Sequence, residues 1–236
     1  MARMLLPTRR ERKGVRGNTV AGVVLETVTA ALICLDPGHG TAPDFARGTE
    51  PIGPGAAATK IVDGGGTPGE AEVVLAISRR ARGLLAAGGY RVAMTRTAPG
   101  YRRTNADRAR FCNRRAAALM VRIHADGSTD PGTQGAATLY PAARRGWTDD
   151  VAVASRRAAR LLQGAVVAAT GARDLGIRAR SDLVGFNFAD VPVVLVETGF
   201  MTNRREGAKL RTPAYQQRVA RGIAAGVAAF AGPPES

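Results

Sequence analysis

Two histidines, the only ones among the 236 residues, and one glutamate follow short apolar runs of the chain. His39 closely trails one run, His124 directly follows a second, and Glu197 directly follows a third. In parallel α/β sheets, ligands bind at the carboxyl ends of the strands, so side chains far apart in sequence can meet there. A single histidine at a strand end is more often structural than a ligand. Three titratable groups in equivalent places favour one polar functional site.

These residue types suit zinc-assisted hydrolysis. Two imidazoles and one carboxylate give Zn²⁺ three protein ligands and leave a fourth position for water, as in hydrolytic rather than structural zinc sites. Glu70, at the predicted start of a helix, is the candidate carboxylate, and Glu72 and Glu50 lie in the same region of the chain. Two alternatives remain for Glu70, a carboxylate favoured by the helix dipole or an ordinary solvated acid. We expect one Zn²⁺ per chain.

The elements that must position these residues alternate along the chain. Short apolar runs predict strands that are buried on both faces, and segments with apolar residues three and four positions apart predict helices. This alternation predicts an α/β fold, a single domain with a twisted, largely parallel sheet flanked by helices. The predicted strands are 28–35, 90–95, 119–123, 136–140 and 193–196, and the predicted helices are 70–87, 105–118, 150–170 and one that Thr212 caps and Pro213 begins.

Residues 40–69 are rich in Gly, Pro and Ala and have no periodicity. A connection of this length is uncommon in a compact domain, so we predict a functional or disordered loop. We expect residues 27–232 to form one domain, preceded by the basic segment 1–26. That segment resembles a weak signal peptide, and a solvated basic tail is the alternative.

Composition narrows the classes of partner. Lys and Arg number 34 against 19 Asp and Glu, which gives a net charge of +15 and favours an anionic partner. The basic residues are scattered and aromatic residues make up 5% of the chain, so we do not expect nucleic acid. No apolar run is long enough for a transmembrane anchor. Cys34 and Cys112 are predicted to be two buried thiols, with a bridge as the alternative if strand and helix meet.

Several short motifs occur in the chain in the same order as in a known enzyme family. Residues 31–231 resemble the zinc-dependent N-acetylmuramoyl-L-alanine amidases of amidase type 3, which have a phosphorylase/hydrolase-like α/β fold. The matching stretches are Leu35-Asp36-Pro37-Gly38-His39-Gly40, the helix opening at Glu70, Arg108 to Asn113, Ile123-His124-Ala125-Asp126, and Val196-Glu197-Thr198-Gly199-Phe200-Met201-Thr202-Asn203. The segment between His39 and Glu70 is longer than the family's shortest pattern, and we expect it to line the cleft and to affect the choice of substrate.

The resemblance implies a role for each candidate residue. His39, Glu70 and His124 would be the zinc ligands, with Glu70 preferred over Glu72 and Glu50, and Glu197 would be the catalytic carboxylate. The implied reaction is hydrolysis of the amide bond between N-acetylmuramic acid and L-alanine in peptidoglycan, in the cell envelope or outside the cell. The alternative hypotheses are a zinc peptidase of different specificity, or a non-catalytic module that binds cell wall or nucleic acid. Arg108 and Asn113 could be structural residues or substrate contacts.

Overall fold

Six strands form one central sheet in the computed structural model, which describes residues 30–40, 48–62, 65–100 and 103–233. The strands of the chain are β1 Leu32–Pro37, β2 Thr49–Pro51, β3 Thr59–Ile61, β4 Arg91–Met94, β5 Leu119–Asp126, β6 Ala136–Pro141, β7 Asp174–Arg180 and β8 Val193–Phe200. The order in the central sheet is β4-β1-β5-β8-β6-β7. All neighbouring pairs are parallel except β6 and β8, which are antiparallel. The prediction of a largely parallel α/β sheet is confirmed.

Helices cover both faces of this sheet. They are α1 Glu70–Ala87, α2 Asn105–Asn113, α3 Ala152–Thr170, α4 Val184–Asn187, α5 Arg204–Leu210 and α6 Pro213–Ala231. The long helices α1, α6 and α3 pack side by side on one face, and α2 and α4 lie on the other. Alternate residues of the strands therefore enter two different apolar cores. In β1, Ile33 and Leu35 belong to the core under the long helices, whereas Cys34 belongs to the core under α2.

The predicted helix starts agree with the structure. Glu70 begins α1, and the Thr212 hydroxyl accepts a hydrogen bond from the Tyr215 amide to cap α6. The prediction that α2 continues to residue 118 is wrong, because α2 ends at Asn113. Ala116 has a positive φ of 45°, and the chain turns there before it enters β5.

Two parts of the fold were not predicted. The loop between residues 40 and 69, predicted to be functional or disordered, contains an antiparallel hairpin of β2 and β3, so residues 49–61 are not disordered. The Asn187 side chain donates a hydrogen bond to the Ile52 carbonyl, which ties the hairpin to α4. The edge strand β7 was also missed, since its sequence has neither a continuous apolar run nor strict alternation.

Two further predictions concern the N-terminal segment and the membrane. The basic segment 1–26 and the first residues of the strand predicted for 28–35 lie outside the described residues. Within the described part, no helix is long and apolar enough to cross a membrane.

Cys34 and Cys112 form a disulfide bond, so the prediction of two buried thiols is wrong. Cys34 lies on β1 and Cys112 on the last turn of α2, and their Cα atoms are 5.7 Å apart, within the range that a disulfide spans. Both side chains are fully buried. The bond fastens α2 to the strand that leads to His39.

Breaking this bond is expected to lower the free energy of unfolding by about 2–4 kcal/mol, because a cross-link between residues 78 positions apart restricts the unfolded chain. Urea unfolding of the oxidised protein, with and without a reductant, measures the difference. A variant that combines Cys34→Ala and Cys112→Ala is the control, and reductant should leave its unfolding unchanged. Equal midpoints for the oxidised and reduced wild-type protein would contradict the expectation.

Candidate active site

His39 lies directly after β1, in a loop held by two arginines. The Arg96 guanidinium donates hydrogen bonds to the carbonyls of Pro37 and Gly38, at 3.1 and 2.7 Å. The Arg108 guanidinium donates to the carbonyls of Pro37 and His39, at 2.7 and 2.8 Å. His39 has a positive φ of 54°, a conformation that few non-glycine residues adopt. These four hydrogen bonds stabilise that conformation and with it the direction of the imidazole.

Arg108 is in turn held by a buried carboxylate. Asp36 is fully buried and accepts hydrogen bonds from Arg108, Arg122 and the Thr95 hydroxyl. Burial by itself raises the pKa of Asp36, but the two guanidinium groups and the hydroxyl together hold the pKa well below its usual range. Asp36 is therefore ionised, and this charged cluster fixes the end of β1 against β5 and α2.

Arg108→Met is expected to lower the free energy of unfolding by about 3–5 kcal/mol, because it removes one partner of a buried ion pair. The loss should lie near the lower figure, since Arg122 still pairs with Asp36. Arg110→Met is the matched control in the same helix. The Arg110 side chain is half exposed and its ion pair with Asp107 spans 3.5 Å, so about 1 kcal/mol or less is expected. Thermal and urea unfolding of both variants measure the two effects. Equal losses would rule out a special structural role for the buried pair.

Glu70 is the first residue of α1, and its side chain is buried. One carboxylate oxygen accepts a hydrogen bond from the Thr67 amide at 2.9 Å, and the other accepts one from the Ala125 amide at 3.0 Å. Burial raises the pKa of Glu70, but contacts with the two histidines outweigh it and hold the pKa well below its usual range. The carboxylate is thus ionised and fixed in direction by backbone donors.

His124 lies within β5, on the strand next to β1. Its ring packs against Gly38, where a Cβ atom would lie 2.4 Å from the nearest ring atom. Any residue larger than glycine at position 38 would therefore displace the imidazole. Burial is the main cause that lowers the pKa of His124 to about 4. The ring is neutral at pH 7, the form in which a histidine nitrogen binds a metal ion.

The ligand atoms of these three residues converge. Nε2 of His39 lies 3.2 Å from Oε1 of Glu70, and Nδ1 of His124 lies 3.3 Å from the same oxygen. One ligand atom from each residue lies within 4.8 Å of the others. Tetrahedral zinc with bonds of about 2.0–2.2 Å separates its ligand atoms by about 3.3–3.6 Å. The donor types, the neutral His124 and the two distances to the Glu70 oxygen fit a zinc ion with three protein ligands.

Glu197 lies beside this cluster on β8. It is paired in register with His124 on β5, so the two side chains point to the same face of the sheet. Its Oε2 atom is enclosed and has no hydrogen-bond partner within the described residues. Burial, followed by the negative charges of Asp126 and Glu70, raises the pKa of Glu197 well above its usual value. A bound cation would oppose the repulsion from Glu70.

The other residues that sequence reasoning considered have structural contacts. Glu50 is buried and accepts hydrogen bonds from Asn105 and the Ala106 amide, so it anchors the hairpin to the start of α2, away from the cluster. Glu72 is exposed on α1. The Asn113 side chain donates to the Phe188 carbonyl and to Asp190. With Arg108, it belongs to the framework of the fold.

A cleft of about 690 Å³ opens over the cluster and contains Glu197 in its wall. Sequence reasoning missed several of its lining residues. The apolar side comprises Leu139, Leu175, Leu183 and Leu195, and the charged side chains outside the cluster are Asp126, Arg178 and Arg180. Asp126 is the last residue of the matching stretch Ile123 to Asp126, but no local signal marked the two arginines of β7, since that strand was not predicted.

Comparison with known proteins identifies the family of the chain. The family model described as N-acetylmuramoyl-L-alanine amidase (Amidase_3) matches residues 33–229. The amidase LytC of Bacillus subtilis is 28% identical over 211 residues, which cover 89% of this chain and 38% of LytC. The amidase AmiA of Salmonella typhimurium is also 28% identical, over 87% of this chain and 78% of AmiA.

Solved structures resemble the fold as a whole. The crystal structure of the amidase Ami1 from Mycobacterium smegmatis has a TM-score of 0.77 and 30% identity, and the match covers 87% of this chain and 98% of that one. The apo form of Ami1 from Mycobacterium abscessus also has a TM-score of 0.77, with 28% identity. This chain belongs to the N-acetylmuramoyl-L-alanine amidase family.

Proposed function

We propose that this protein is a zinc-dependent amidase that hydrolyses the bond between N-acetylmuramic acid and L-alanine in peptidoglycan, and that residues 27–232 are its catalytic domain. One observation carries the proposal. His39, Glu70 and His124 converge in a cleft whose wall contains Glu197, within a chain of this amidase family. The family indicates the substrate, and the four side chains supply the groups that amide hydrolysis requires.

His39 Nε2, His124 Nδ1 and a Glu70 oxygen would hold the metal ion, one per chain. When bound, zinc acts as a Lewis acid that polarises the scissile carbonyl and lowers the pKa of an attacking water to about 7. The protein keeps the ligands in the required state, because burial keeps His124 neutral and backbone donors stabilise the Glu70 carboxylate. The hydrogen bonds of Arg96 and Arg108 hold the His39 loop in place.

Glu197 would act as the proton carrier. In its ionised form it takes a proton from the attacking water, and it then returns that proton to the nitrogen of the departing L-alanine. Such a group needs a pKa near the working pH so that it both accepts and donates. The enclosure of Glu197 and the nearby carboxylates raise its pKa in that direction. Among the described residues its Oε2 atom has no hydrogen-bond partner, so that acceptor is not committed to a structural contact.

The substrate implies a place of action in the cell envelope or outside the cell, with peptidoglycan or muropeptides as the partner. The net charge of +15 suits an anionic wall, and it also motivates a non-catalytic binding module as the alternative. A zinc peptidase is the alternative among enzymes, since the same metal chemistry cuts other amides.

One experiment separates these functions. The purified protein is analysed for metal and incubated with muropeptides, with and without a chelator, and the products are identified by mass. Intact stem peptides with a free N-terminal alanine are expected, and the chelator should abolish their release. Release of single amino acids would instead identify a peptidase. Binding to sacculi or duplex DNA with no hydrolysis under any metal condition would identify a binding module.

A further inference from the structure

The edge strand β7 forms one wall of the cleft. This wall lies farthest across the sheet from the group of His39, Glu70 and His124. Arg178 and Arg180 are two residues apart on this strand, so they point to the same face, and both line the cleft. Residues of opposite charge dominate the other side, where Glu70, Asp126 and Glu197 lie. The cleft therefore has an acidic end, which suits a bound cation. Its other end is basic and does not bind the cation.

The two arginines differ in how their charge is used. Arg180 forms two hydrogen bonds of 2.7 Å with the Asp182 carboxylate, which also accepts one from Lys60. The bonds from Arg180 are the main cause that lowers the pKa of Asp182 to about 2, so this pair is charged and mutually neutralised. Arg178 makes no hydrogen bond or salt bridge with any described residue. Its positive charge remains available to a ligand in the cleft.

The sheet register gives the distance between Arg178 and the reaction centre. Arg178 of β7 pairs with Leu139 of β6, and Leu139 pairs with Leu195 of β8, so the three side chains form a row across one face. Glu197 lies two residues beyond Leu195 on the same face. Two strand spacings and two residues along a strand place the Cα atoms of Arg178 and Glu197 about 12 Å apart. Two leucines line the floor between them.

We propose that Arg178 is a specificity residue that binds a free carboxylate of the stem peptide, on the residue that follows L-alanine. This inference rests on the proposed function. The sugar side of the scissile amide offers hydroxyl and acetamide groups, whereas the peptide side carries carboxylates. An extended peptide advances about 3.3–3.6 Å per residue, so the second residue lies about 7 Å from the scissile bond, toward the long Arg178 side chain. A guanidinium group binds carboxylates through paired hydrogen bonds.

The test compares two substrates with the same skeleton, N-acetylmuramoyl-L-alanyl-D-glutamic acid and the analogue in which both carboxylates are carboxamides. The wild-type protein loaded with zinc is expected to favour the acid in kcat/KM by about 5- to 20-fold, chiefly through KM, because the contact is charged but partly open to solvent. Arg178→Gln should reduce this preference to about one. Arg178→Lys keeps the charge without the paired donors and should retain part of the preference.

Arg221→Gln is the matched control, since it removes the same charge from the exposed side of α6 and should keep the wild-type preference. A preference that survives in Arg178→Gln, or a wild-type preference near one, would overturn the inference and leave the proposed function standing. An equal loss on both substrates in Arg178→Gln would also overturn it, since that pattern indicates a contact with the sugar or the peptide backbone. If the wild-type protein cleaves neither substrate, the proposed function is wrong and the inference falls with it.

Discussion

Glu197→Gln is expected to lower the turnover of muropeptides by about 100- to 10,000-fold while bound zinc and the fold stay unchanged, because that is the usual loss when a positioned general base is removed. Glutamine keeps the size of the side chain but cannot accept a proton from water at neutral pH. The position of Glu197 supports this expectation. It is paired in register with His124 and lines the cleft, but its carboxylate is outside the group of three converging ligand atoms.

Metal content and hydrolysis should be measured on the same preparation of this variant. Loss of zinc would make Glu197 a ligand, and normal turnover with intact zinc would leave it a structural role only. Asp126→Asn is an informative control, because Asp126 is another carboxylate in the cleft and a neighbour whose charge raises the pKa of Glu197. A smaller loss of turnover in Asp126→Asn than in Glu197→Gln would show that the effect of Glu197→Gln comes from loss of the proton carrier and not only from loss of a negative charge in the cleft.

His39→Ala and His124→Ala are each expected to abolish zinc retention and activity. A site with three protein ligands that loses an imidazole has only two left. Glu70→Ala should behave likewise, since Glu70 lies 3.2 and 3.3 Å from the two imidazole nitrogens. Zinc is measured by elemental analysis after dialysis, and circular dichroism verifies the fold of each variant.

Glu72→Ala is the matched control for Glu70→Ala. It removes a carboxylate two residues along the same helix, but that side chain is exposed and points away from the cluster. Zinc content and turnover should both remain at the wild-type level. Near-stoichiometric zinc in any of the three ligand variants would show that the corresponding ligand assignment is wrong.

Local sequence determined the type of fold and most of the strands, because each pattern reports how its own residues are buried. The continuous apolar runs before His39, His124 and Glu197 required strands covered on both faces, and such strands are typical of a parallel sheet with helices on each side. Helix starts were also local properties, since Thr212 and Pro213 suit a cap and a first turn wherever they occur. The four candidate site residues could be selected from the same information, together with the family's motifs.

Features that depend on contacts between distant residues were decided by the tertiary structure. The disulfide between Cys34 and Cys112 required β1 and α2 to be adjacent, which no spacing in the chain reveals. The α2 helix ends early because the chain must reverse to reach β5, although alanines 116–118 favour a helix by themselves. Strand β7 is stabilised by pairing with β6 rather than by an apolar pattern of its own.

The chemistry of the site divides in the same way. The sequence by itself determined which side chains could hold a metal ion, because residue type and strand-end position are local. Only the tertiary structure decided that Glu70, rather than Glu50, lies beside both histidines, that Asp36 and two arginines brace the His39 loop, and that Arg178 lines the cleft. The physical reason is that burial patterns specify which residues leave water, whereas strand pairing and helix packing specify which of them meet.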